Sequence, residues 1–158
     1  MKKIIQEFQK YTYLFPPFQS WLNKRQQISD WQLWMQKTPS LPLPHLMKQD
    51  ILKNYAVEYG LSILVETGTY KGEMVDALYD YFKEIYSIEL SEMYSKRARA
   101  YFQWRKNVKI IQGDSGDIIG ELIREIKQPA LFWLDGHYSA GDTAKGEKST
   151  PVLKELKH

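Results

Sequence analysis

The sequence predicts an α/β fold, a doubly wound parallel sheet preceded by an aromatic-rich segment, and three observations predict it. Four short apolar runs recur through the second part of the chain, at 63–65, 84–90, 108–112 and 130–134. Each is too short for a helix and is bounded by turn residues, as buried parallel strands are. Each run leads to an acid and a turn, at Glu66, Glu89, Asp114 and Asp135, and a helical pattern follows each turn. Strands alternating with helices of this kind build a parallel sheet covered on both faces. The 158 residues suffice for one domain with a sizeable core.

Residues 1–44 stand outside that pattern. They hold eight of the 22 aromatics (Phe8, Tyr11, Tyr13, Phe15, Phe18, Trp21, Trp31 and Trp34). Pro16-Pro17 and the run from Thr38 to Pro44 cut the segment into short pieces, with a helix between them from Trp21 to Met35. On that helix Trp21, Arg25, Ile28, Trp31 or Gln32, and Met35 fall near helical spacing. A cap packed on the core is the plain reading of residues 1–44; a lid, a dimerisation surface, and contact with a membrane surface or single-stranded nucleic acid are the alternatives. From His45 to Tyr59 the spacing of Leu46, Ile51, Leu52, Tyr55, Ala56 and Tyr59 predicts a helix, with Gly60 at its C-terminal cap. His45 reads as a solvated residue at the start of that helix.

The organising stretch is 62–72, SILVETGTYKG. Its strand ends in Glu66, a turn carries Gly68 and Gly72, and Met74, Val75, Ala77, Leu78, Tyr81 and Phe82 then line one helix face. A glycine there lets a ligand approach the backbone closely. The spacing is E-x-G-x-x-x-G; it is neither the G-x-G-x-x-G of dinucleotide sites nor a Walker loop. Glu84 to Leu90 is the second strand, and Glu89 near its end lies 21 residues beyond Gly68, where an acid can accept from both hydroxyls of a ribose. Ser91 caps the next helix. The third strand leads to Gly113-Asp114-Ser115, with Asp114 or Ser115 as N-cap of a helix striped by Ile118, Ile119, Leu122, Ile123 and Ile126. The fourth strand, 130–134, is the most apolar and is expected near the sheet centre. It delivers Asp135 and His137 to the carboxyl edge, where open α/β sheets bind ligands. Thr150-Pro151 opens a last helix.

Charge and composition exclude several classes. Residues 1–60 carry eight Lys and Arg against four Asp and Glu, the remainder fourteen against fifteen. That mild basicity falls short of a dedicated nucleic-acid binder. With no cysteine there is no disulfide framework, thiolate zinc site or cysteine nucleophile. No apolar run has the length of a spanning helix, so a cytoplasmic protein is the expectation.

The residues Glu66-x-Gly68-x-Tyr70-x-Gly72 resemble motif I of the class I S-adenosylmethionine (SAM)-dependent methyltransferases, especially the catechol O-methyltransferase group. The likeness runs from about residue 46 to 158, and its landmarks Glu66, Gly68, Gly72, Glu89, Asp114 and Asp135 arrive in order. The run LFWLDGHYSAGDTAKGEKSTPVLKEL looks like a bacterial methyltransferase-like family linked to polysaccharide and small-molecule tailoring. The resemblance implies a Rossmann-like fold that binds SAM over Glu66, Gly68, Thr69, Tyr70 and Gly72. It places the ribose on Glu89, the adenine at Asp114 and Ser115, and Asp135 beside the cofactor. It also implies a magnesium ligand at Asp135 and a small-molecule or sugar acceptor. That family's other metal ligands follow a fifth strand, so a metal site here is expected to be at most partial, with Asp142 and Glu147 either further oxygen donors or solvated acids of a glycine-rich loop. His137 is placed to act as a base or acceptor contact, and a structural role for it stays open; Lys145 is placed to meet an anionic acceptor. Two domains are expected, a cap over residues 1–44 and a SAM-binding unit over 45–158. That family's fold continues beyond a fourth strand, so a sheet ending there reads as truncated, with the flank of 130–134 hidden by a homodimer or by the aromatic segment. A non-catalytic methyltransferase-like binding or assembly module is the alternative function.

Overall fold

In a computed structural model the described residues are 16–36, 43–136 and 151–157. His137, Tyr138, Asp142, Lys145, Glu147 and the expected cap at Thr150 lie outside them.

Helix α1 spans Pro16–Met35 and α2 spans His45–Glu58. Pro16-Pro17, expected to break the chain, instead opens α1: in a helix's first turn the N–H that proline lacks would have no intrahelical partner. The end of α2 falls where expected, with Leu61 N–H donating to the Ala56 carbonyl at 2.9 Å and Gly60 in the left-handed region at φ +61°.

Among the described residues four strands follow, alternating with helices: β1 (Ile63–Thr67), α3 (Glu73–Leu78), β2 (Glu84–Glu89), α4 (Glu92–Tyr101), β3 (Val108–Gln112), α5 (Ser115–Glu125), β4 (Ala130–Leu134) and α6 (Val152–Glu155). All pairings are parallel and the order is β3-β2-β1-β4. All five residues of β1 are buried, which is why its run shows no alternation of apolar and polar residues.

Successive residues of β1 face opposite layers. Leu64 packs with Leu52, Ala56, Val75, Leu78 and Phe102 of α2, α3 and the end of α4, joined by Leu131 and Trp133. Val65 packs with Ile88 and Leu122, joined by Ile118 and Ile126 of the α5 side. The sheet is thus doubly wound. In one respect the expectation is corrected: β4 is not central. It pairs only with β1 among the described residues, and Phe132 on it is 38% exposed.

The N-terminal helices differ more. Trp21, Ile28, Trp31 and Met35, the expected stripe of α1, are all exposed, and so are Ile51, Tyr55 and Tyr59 near α2's outer face. α2 packs on the core through Leu52 and Ala56, whereas the side chains buried where α1 meets α2 are Gln27 (6% exposed) and Gln49 (2%). Gln27 donates to the Glu73 carboxylate, and Gln49 donates both to the Gln27 amide oxygen and to His45 Nδ1. Hydrogen bonding seats α1 on α2 and α3 here, because these buried amides are satisfied by one another. Among the described residues no helix is long and apolar enough to cross a membrane.

Candidate functional site

The four strands end together, and the register brings their terminal acids to one edge. Glu66 lies beside Ser87 of β2 and Trp133 of β4, and the β1 ladder runs on past Thr67, whose carbonyl accepts from Asp135 N–H. Gly113 N–H donates to the Glu89 carbonyl, so Asp114 follows at the third strand's end. Glu66, Glu89, Asp114 and Asp135 therefore share the carboxyl edge.

The turn between β1 and α3 needs left-handed backbone at three places: Gly68 (φ +88°), Tyr70 (φ +48°) and Gly72 (φ +75°). The two glycines also serve packing within the chain. A Cβ on Gly68 would meet the Asp135 carbonyl oxygen at 2.9 Å, and one on Gly72 would meet the Phe102 ring at 2.8 Å. Close approach to a ligand is therefore not the only demand that excludes a side chain here. Tyr70, a non-glycine residue at positive φ, is fixed by its N–H, which donates to Glu89 Oε2 at 2.7 Å, and by its ring, 4.9 Å from that of Tyr94.

Glu89 clamps two turns at once, since its other oxygen accepts from Ser91 N–H at 2.8 Å. The expected ribose acid is thus also the brace that orients the glycine turn; each carboxylate oxygen keeps a second lone pair for a donor. The Thr69 and Ser115 hydroxyls are engaged inside the protein. Thr69 Oγ1 lies 2.6 Å from Ser87 Oγ, which donates to Glu66, and Ser115 donates to Glu155. Of the two candidate caps, Asp114 is the one: its side chain accepts from Gly116 N–H.

Glu66 is 3% exposed, and among the described residues Ser87 is the side chain that donates to it. Burial pushes its carboxyl up to about 8; the Ser87 bond opposes this, and Asp135 and Glu89 add to it. Among the described residues no cation pairs with this buried acid, a demand that a cationic ligand would relieve.

Sequence reasoning missed two groups. Glu155 in α6 is 3% exposed, on Ser115 Oγ and close to where a Cβ of Gly136 would be. No periodicity marks it, because α6 has only four residues. The second group is the first turn of α2. His45, expected in solvent, is partly buried; burial lowers its pKa from the ordinary value, with Glu73 opposing, Lys48 adding and Asp135 opposing. Lys48 Nζ stands 3.8 Å from Asp135 Oδ2 and 5.5 Å from the centre of the Trp133 ring. The His45-to-Lys48 spacing, three residues on a helix, was the available signal.

As for the expected magnesium ligand, no group of three His, Asp or Glu side chains that could hold a metal forms among the described residues. Asp135 is paired there with an ammonium group. The described donor set does not fit a divalent ion.

No protein-family model and no curated protein matches the sequence. Solved structures do resemble it. A provisionally assigned methyltransferase from Streptococcus mutans, in complex with S-adenosylhomocysteine (SAH), superposes with a TM-score of 0.51 at 20% identity, over 74% of this chain and 64% of that one. The O-methyltransferase TomG from Streptomyces achromogenes, in complex with SAM, gives 0.48 at 18%, over 60% and 46%. An O-methyltransferase from Bacillus cereus, in complex with SAH, gives 0.47 at 17%, over 60% and 46%. The chain spans about half the length of those two O-methyltransferases. With its order β3-β2-β1-β4 and its flanking helices, the chain has the Rossmann-like methyltransferase fold.

Proposed function

We propose that residues 45–158 form the SAM-binding unit of an O-methyltransferase acting on a small molecule or sugar, with residues 1–44 as its cap. The observation that carries this reading is the acid at the end of every strand. Carboxylates only accept hydrogen bonds, so such an edge suits a donor-rich, cationic ligand and repels a diphosphate. SAM is such a ligand, with an amino group, a sulfonium and two ribose hydroxyls. It supplies a methyl group on positively charged sulfur; the acceptor oxygen takes the methyl, the bonding pair returns to sulfur, and the acceptor's proton departs.

The chain's own residues then have distinct tasks. Glu66 at the floor of the turn offers a negative charge to a cation above it. Glu89 accepts from the ribose while holding Tyr70 in place, and Asp114 accepts from the adenine amino group. Gly68, Thr69, Tyr70 and Gly72 contribute backbone and, at Tyr70, a ring face. Asp135 stands beside the reacting atoms; His137, outside the described residues, belongs to the same reading as base or acceptor contact. A cytoplasmic location and self-association through the exposed flank of β4 complete it. The exposure of Phe132 on β4 supports the self-association.

Calorimetric titration with SAM and SAH tests the reading. The parent should bind both, and Glu89→Ala should weaken binding by about 1.5–3 kcal/mol, the range for hydrogen bonds to a charged group. No heat of binding in the parent would reject the cofactor; parental affinity in Glu89→Ala would take Glu89 out of the site.

A further inference from the structure

The first turn of α2 meets the end of β4 in an arrangement the fold alone does not require. Trp133 and Asp135 are two residues apart on an extended chain, so both side chains face α2. Lys48 lies across the pair, with its ammonium 5.5 Å from the Trp133 ring centre and 3.8 Å from Asp135 Oδ2. Asp135 in turn is seated against the glycine turn, its carbonyl oxygen filling the space that a Cβ on Gly68 would take. Lys48 therefore places a positive charge one residue's reach from the turn proposed to hold the methyl donor. Both side chains remain about a third exposed, at 28% for Lys48 and 33% for Asp135.

We propose that Lys48 is the cation of the acceptor site, standing where a divalent metal would otherwise sit beside Asp135. This inference rests on the transferase reading above. The ammonium donates to the acceptor's alcohol or phenol oxygen and stabilises the negative charge that grows as its O–H bond breaks. The proton passes to the Asp135 carboxylate and from there to water, while the oxygen lone pair forms the new bond to the methyl carbon and the carbon–sulfur bond breaks with its electrons going to sulfur. A lysine suits the place because it carries three donors and no acceptor, so it holds an oxygen and cannot ligate a metal. A magnesium ion bound to Asp135 at the usual distance of about 2.1 Å would be brought close to that ammonium, charge against like charge.

The same geometry explains why Lys48 is well placed. Its helix is fixed one residue further on by Gln49, whose amide bridges His45 Nδ1 and the Gln27 oxygen. Gln27 continues the chain of hydrogen bonds to Glu73, the residue that follows Gly72. The turn that carries the proposed cofactor site and the helix that carries Lys48 are thus tied together by side chains.

Two measurements on the full chain test this, with Lys48→Met and the charge-preserving Lys48→Arg compared after circular dichroism has shown both folded. The first is a manganese(II) titration followed by electron paramagnetic resonance, without cofactor, so that it is independent of the SAM reading. The parent should bind no manganese at sub-millimolar concentration, because Asp135 has an ammonium beside it and no further donors grouped with it among the described residues. Manganese binding by the parent that Asp135→Asn abolishes would overturn the proposal. The second uses p-nitrophenolate as a probe acceptor on the SAH-saturated protein. Lys48→Met should lose about tenfold in affinity, or roughly 1.4 kcal/mol, and Lys48→Arg should keep most of it. Equal affinity in Lys48→Met, or no phenolate binding by the parent, counts against the proposal. Loss of SAH binding in the parent would instead strike the cofactor reading.

Discussion

Leu64, Val65, Leu78 and Ile85 in the strand–helix core are fully buried and apolar, whereas the most buried residue of α1 is Gln27, and Gln49 is the most buried of α2. Both regions exclude water, yet by different means. The sheet sets the first, because a parallel strand between two layers offers no solvent side to a polar residue. The contact between the two helices is set by hydrogen bonds, in which Gln27, Gln49, His45 and Glu73 satisfy one another while Trp21 and Trp31 of α1 stay exposed. Apolar burial is tolerant of small shifts, but a chain of hydrogen bonds is directional. Holding α2 by such a chain fixes the position of Lys48 as greasy packing alone would not.

The largest expected effect tests the core side of this contrast. Leu78 on α3 is fully buried in the cluster that joins α2, α3 and β1. Leu78→Ala should cost about 2–5 kcal/mol of stability, measured by urea denaturation, because the rigid sheet below cannot collapse into the space. A cost below about 1 kcal/mol, the usual scale for unremarkable positions, would mean that this layer is loosely packed.

Legibility in the sequence followed the same division. The strands were readable nearly to the residue: 108–112 and 130–134 match β3 and β4, and Glu84–Leu90 overshoots β2 by one. Burial on both faces leaves an uninterrupted apolar run between turn residues, and that signal is local. The acids at the strand ends were readable too, since each follows its run directly. The partners of those acids were not. Nothing near Glu89 in the sequence shows that it braces Tyr70, 19 residues earlier. Nothing near Lys48 points to Asp135. Such contacts depend on how elements stack, and the order of β4 beside β1 is a tertiary fact. The apolar spacing of α1 misled for a related reason: Trp21, Trp31 and Met35 share helical spacing, but the helix presents Gln27 to its neighbours.

A second prediction sharpens the role of Glu66, the buried acid of β1. Glu66 keeps its proton in the folded protein up to about pH 8, whereas an unfolded chain loses it near its ordinary value of 4.5. Between those values the native state holds the extra proton, so the stability contributed by Glu66 is fullest below about 4.5 and is lost as pH rises to about 8. The slope is up to about 1.4 kcal/mol per pH unit. Glu66→Gln removes the titration and should flatten that part of the profile, gaining on the parent at the alkaline end. Cofactor binding should move the other way in the parent: a cation favours ionised Glu66, so affinity should rise with pH and binding near neutrality should release a proton. A parent and Glu66→Gln with the same pH profile of unfolding would show that Glu66 is ionised throughout.

The smallest effects set the two kinds of burial against each other inside the N-terminal helices. Gln49→Ala removes the donor shared by His45 and Gln27 and leaves two acceptors without it in a buried place. That should cost about 1–3 kcal/mol, the penalty for unsatisfied buried groups. Trp31→Ser deletes a far larger apolar side chain, but one that is 39% exposed on α1. Changes at exposed positions usually stay within about 0.5 kcal/mol. Side-chain size and hydropathy would rank the two the other way, so chemical denaturation of both variants decides between hydrogen-bonded and apolar seating of α1. Should Trp31→Ser prove the costlier, the aromatic face is covered in solution, by a second copy or by residues outside those described. A concentration-dependent unfolding midpoint would then identify the second copy as the cover, because only an intermolecular contact makes stability follow protein concentration.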